Sequence, residues 1–79
     1  MRAAELLKKV PNLTERQLQY LAGRGYIPYK PMPEGEVTRR EYDEKDLPYI
    51  TYLVSLINQN ISPKKACLMA KEKFLPSQR

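Results

Sequence analysis

Leu13 to Pro31 reads LTERQLQYLAGRGYIPYKP, and the elements before and after it take their places from this stretch. Thr14 supplies a helix N-cap, Gln17 three residues on closes a capping box, and Leu13 and Leu18 are spaced to staple across the cap. The helix launched there is short, because Gly23 and Gly25 followed by Pro28 neither continue it nor start another at once. Its expected span is Thr14 to Ala22, with Leu18, Leu21 and Ala22 turned inward and Glu15, Arg16 and Gln19 turned out.

Upstream, Met1 to Val10 reads as a first helix. Ala3, Leu6, Leu7 and Val10 fall at helical spacing, and Lys8 and Lys9 lie on the other side near the C-terminal end, where the helix dipole favours cations. Pro11-Asn12 stops it, leaving two or three residues before the Thr14 cap. That connection is tight enough for a helix-turn-helix, whose short second helix presents its first turn to a DNA groove. The alternative is a two-helix corner with no nucleic-acid role.

Downstream, Tyr26 to Lys30 has high β propensity, is interrupted by Pro28 and runs into Pro31 and Pro33, so an edge strand entering a loop is expected there. Glu34-Gly35 supplies a turn, and Glu36 to Tyr42 forms the second strand of a hairpin with Gly35 near its tip. Residues 43 to 46 then make a turn, and a third helix follows from Leu47 to Gln59 after an Asp46 cap, because that register leaves Pro48 where no backbone donor is needed. Leu47, Ile50, Leu53, Val54, Ile57 and Ile61 share one stripe, while Tyr49, Tyr52 and Leu56 fall off it and call for solvent or another surface. Asn60 suits a left-handed helix end. Ser62 caps a fourth helix with Pro63 at its first position, and Ala66, Cys67, Ala70 and Phe74 form its inner face. Cys67 reads as a small buried apolar residue, Leu68 and Met69 are left over, and Leu75-Pro76 ends the helix before a frayed Ser77 to Arg79.

Composition narrows the function classes. A chain of 79 residues, 42% apolar, has room for one small domain over residues 1–79 and one core. No apolar run approaches the roughly 18 residues of a membrane span, and Arg2 and Glu5 in the first turn do not fit a secretion signal, so a cytoplasmic protein with no membrane partner is expected. One cysteine and no histidine argue against a metal site or any cofactor. No nucleophile elbow or phosphate-binding glycine loop is present, and no catalytic residue is assigned; the chain is not expected to be an enzyme. The net charge of +5 favours a polyanionic partner, and its distribution is uneven: +4 over residues 1–30, −3 over 31–60 and +4 over 61–79.

The run Leu13 to Tyr20, then Gly25-Tyr26-Ile27-Pro28, Arg40-Glu41-Tyr42-Asp43, Asp46-Leu47 and Asn60-Ile61-Ser62 resembles, in order and spacing, the DNA-binding domain of MerR-type transcriptional regulators, especially the nitrogen-regulation repressors. The resemblance implies a mainly α winged helix-turn-helix of four helices with a two-stranded β wing. It also implies a bacterial or phage regulator that puts a recognition helix over residues 14–22 in the major groove and the wing on the backbone. Thr38-Arg39 stands where the family has Gly-Tyr, Gln19 where it has Arg, and Asn60 where it has Gly. Glu34, Glu36 and Glu41 put negative charge into an element that normally approaches phosphate, and Arg40 alone matches the family's wing position.

For double-stranded DNA, Thr14 and Arg16 are placed to reach phosphates and base edges, and Gln19 to pair with adenine. Arg24, Lys30, Arg39 and Arg40 add phosphate contacts, and Tyr20 matches the family's tyrosine or is a packing residue with its hydroxyl at the rim. The family's dimerising coiled coil would follow this domain, so weak self-association or pairing on DNA is expected; a stand-alone reader, an excisionase-type accessory factor and a fragment of a longer regulator all remain open. The rival function is a protein-protein interaction module that keeps the fold, uses Tyr49, Tyr52, Leu56, Leu68 and Met69 as its contact surface, and presents the acidic wing as a DNA mimic.

Overall fold

The computed structural model describes residues 1–74. Helix α1 spans Ala3–Lys9 and α2 spans Glu15–Gly23. The capping box forms as its residues require: the Gln17 backbone N–H donates to Thr14 Oγ1 at 3.1 Å, and the Thr14 N–H donates to Gln17 Oε1 at 3.2 Å. Leu13 and Leu18 are both buried beside it. At the other end Gly25 takes φ +81°, its N–H bonds the Ala22 carbonyl at 3.0 Å, and the Tyr26 N–H reaches back to the Leu21 carbonyl at 2.8 Å. That bond pair is a Schellman close, which glycine makes without a Cβ penalty.

Strands β1, Lys30–Glu34, and β2, Val37–Glu41, pair antiparallel with Lys30 opposite Glu41 and Glu34 opposite Val37. The hairpin is the one expected, but its first strand begins where the sequence reading ended it. Tyr26 and Ile27 have strand-forming side chains, yet both backbone N–H groups bond the Leu21 carbonyl to finish α2, and Ile27 is fully buried. The strand forms instead through Pro31 and Pro33. Because only alternate residues of an antiparallel pair exchange N–H bonds, two prolines spaced by two can occupy the outward-facing positions of an edge. Gly35, at φ +64° in the first central position of the turn, matches the type II′ connection.

A single 3-10 turn, Glu44–Asp46, leads into α3, Leu47–Ile57. Asp43 caps that turn by accepting from the Lys45 N–H at 2.9 Å, whereas the expected Asp46 cap makes no side-chain cap bond to α3 and is instead buried at 2% exposure. Asn60, at φ +70°, closes α3 with a second Schellman pair: its N–H bonds the Ile57 carbonyl at 3.0 Å and the Ile61 N–H the Leu56 carbonyl at 3.2 Å. Helix α4, Pro63–Lys73, starts from the Ser62 cap with Pro63 in its first turn. Leu75-Pro76 and Ser77 to Arg79 lie outside the described residues.

One core joins all four helices, with Ile27 and Tyr42 added from the connections. Ile50, Leu53 and Val54 of the expected α3 stripe are buried, and so are Tyr49 and Leu56. A single stripe suits a helix covered on one side; α3 is covered by α4 and by the chain leaving α2, so residues off the stripe also become core.

Candidate nucleic-acid interface

Helix α2 turns Leu18, Leu21 and Ala22 into the core and leaves Glu15, Arg16, Gln19, Tyr20 and Gly23 exposed on the opposite arc. Thr14, just before it, spends its acceptor on the cap, which leaves its hydroxyl proton available to an acceptor outside the helix. Tyr20 is 47% exposed rather than packed, and the Arg24 guanidinium lies 5.4 Å from its ring centroid. This cation–π contact orients Arg24 along the exposed face of α2. Arg16 stands exposed on that face without an ion pair among the described residues.

The hairpin meets this helix across a cleft of about 540 Å³, lined by Arg2 and Ala3 at the start of α1, by Glu15, Leu18 and Gln19 of α2, and by Thr38, Arg39, Arg40 and Tyr42. Gln19, Arg39 and Arg40, chosen separately from the sequence, therefore border one concavity. Arg40 is half-buried, with its guanidinium 4.9 Å from the Tyr29 ring centroid. Burial pushes the Tyr42 phenol above its ordinary value, opposed by the charge and hydrogen bond of Arg40. Arg40 is thus a fixed cation at the edge of the cleft. Arg39 is differently placed: it pairs with Glu34 across the hairpin.

Lys30 does not join them. It borders a second cleft, about 340 Å³, with Met1, Glu41, Tyr42, Asp43 and Glu44, and stands opposite Glu41 in the ladder, whose carboxylate pairs with the Met1 ammonium at 2.9 Å. Arg2 and Thr38 also line the first cleft, beyond the residues the sequence marks. Nothing near Arg2 in the sequence marks it, since the residues it meets lie more than thirty positions away.

The surface considered for a protein partner is largely internal. Tyr49 and Leu56 are core, Tyr52 packs edge-on against Phe74 at 5.7 Å, and Met69 is half-buried; Leu68 alone of the five is exposed, at 59%. The Tyr49 hydroxyl donates to the Tyr26 carbonyl at 2.7 Å and meets Cys67 Sγ at 3.3 Å, so the cysteine is buried but polar in its contact. Among the described residues no three His, Cys, Asp or Glu side chains are grouped to hold a metal ion, and no helix is long and apolar enough to cross a membrane. Comparison with protein-family models, curated proteins and solved structures found no match.

Proposed function

We propose that this protein is a sequence-selective binder of double-stranded DNA: a cytoplasmic, non-enzymatic regulator built as a MerR-like winged helix-turn-helix. In this reading α2 enters a major groove and the β1–β2 hairpin lies along the neighbouring backbone. The observation that carries it is the convergence of Gln19 from α2 with Arg39 and Arg40 from β2 on one cleft. A helix of 9 residues is about 14 Å long, comparable with the groove width of roughly 12 Å. Arg16 and Gln19, on the exposed arc, read base edges; Thr14, Arg24 and Arg40 take phosphates and set the register. Tyr20 supports Arg24. Two copies meet when adjacent half-sites hold them together.

Selection of binding sites from random duplexes tests this. One motif should emerge, and Gln19→Ala should lower affinity for it by about tenfold to a hundredfold while barely changing other sequences, as loss of a base-edge contact does. Arg24→Ala and Arg40→Ala should weaken all duplexes alike. Failure of any motif to emerge even in low salt would rule the reading out.

A further inference from the structure

Glu34 ends β1 and holds two arginines from distant parts of the chain, both of which line the first cleft. Its Oε2 accepts from Arg2 Nη2 at 3.2 Å, and its Oε1 pairs with Arg39 Nε. Arg39 reaches it diagonally across the hairpin, from the position opposite Met32, while Arg2 comes from the start of α1. One guanidinium on each oxygen of an anion is the arrangement by which arginines also receive the two free oxygens of a phosphodiester. All three side chains remain about half exposed, so an incoming anion can reach them. Exposed ion pairs of this kind exchange readily.

We propose that Glu34 is an intramolecular stand-in for a phosphate: Arg2 and Arg39 form an anion site for a phosphodiester oxygen pair, and the wing carboxylate competes for it. The inference rests on the duplex-binding reading for the source of the phosphate, but the site itself is defined by the two arginines. It gives Arg2 a role, and it explains how a wing carrying three glutamates can lie beside DNA. The acid at position 34 lowers affinity and salt dependence together, because two cations reach the backbone only after leaving an internal partner.

The test compares E34Q with E36Q, two variants of equal net charge. Glu36 is exposed in the hairpin turn and makes no ion pair among the described residues. Neither change should undock the hairpin, which the Tyr42 N–H holds to the Met1 carbonyl at 2.7 Å independently of Glu34. In a titration with inorganic phosphate, the Arg2 and Arg39 Nε–Hε NMR signals of E34Q should move together and saturate at several-fold lower phosphate than in E36Q. On a mixed-sequence duplex, E34Q should steepen the fall of log affinity with log salt by about 0.9 unit relative to E36Q, the value for the one phosphate gained. Adding R2A to E34Q should remove about half of that gain. Equal phosphate responses in E34Q and E36Q would overturn the proposal. If E34Q gains phosphate at both arginines while no variant binds the duplex, the anion site stands and the DNA reading falls.

Discussion

Tyr49 ties three parts of the molecule together through one hydroxyl. It lies on α3, donates to the backbone where α2 ends, and touches Cys67 on α4. Burial, reinforced by the hydrogen bond and charge of Cys67 and by the charge of Asp46, pushes its phenol far above the ordinary value of 10.0. The unfolded chain loses this proton near pH 10 while the folded chain keeps it. The stabilisation is therefore complete below pH 10 and is lost as pH rises toward the folded value. Urea midpoints measured from pH 8 upward should fall beyond pH 10, with a smaller share from Tyr42, whose phenol burial also raises. Tyr49→Phe should lose about 1–3 kcal/mol at neutral pH, by leaving the Tyr26 carbonyl unpaired, and should flatten the alkaline fall. An unchanged alkaline profile in that variant would contradict the assignment. The sequence cannot announce such a residue: its partners stand 23 and 18 positions away, and one is a backbone carbonyl.

The elements were most legible where their signals are local. Thr14 with Gln17, Ser62 with Pro63, and Asn60 each act on atoms within a few residues, and each does in the structure what its chemistry prescribes. Thr14→Ala should lower stability by about 1 kcal/mol, because it leaves a first-turn N–H without its acceptor. At Asn60 the left-handed backbone makes the sign depend on the substituent. Asn60→Gly should be neutral or slightly stabilising and Asn60→Ala should lose about 1 kcal/mol, an order that thermal unfolding would reveal. The strand at Tyr26 was misread for the complementary reason. Its β propensity was real, but the Schellman close of α2 had already claimed its N–H and Tyr49 its carbonyl, and the ladder partner that selects Lys30 instead is Glu41. Asp46 shows the same limit: Pro48 marks the α3 start correctly, yet Asp46 ends the 3-10 turn at φ −89° and ψ 0° rather than in the extended backbone of a cap, and its side chain makes no cap bond.

Across the whole molecule, tertiary placement decides what each exposed charge can do. Gln19, Arg39 and Arg40 converge because the hairpin folds back beside α2, and Lys30, one strand away, lines a different cleft. Charge counted by thirds shows an acidic middle, but not that Glu34 engages Arg2 of α1 and Arg39 of β2. The apolar residues left over from the helical stripes are largely absorbed by a core that surrounds α3, and Leu68 stays exposed on α4 among Lys64, Lys65 and Lys71. In the proposed reading, DNA meets the α2 face and its cleft. Amide chemical-shift mapping of the labelled protein with a selected duplex at about 50 mM salt tests it most directly. The largest changes should fall on Arg16, Gln19 and Tyr20 of α2, on Arg24 at its C-cap, and on Thr38, Arg39 and Arg40 of β2. No change at all, or changes centred on Lys64 to Lys71 of α4, would contradict it.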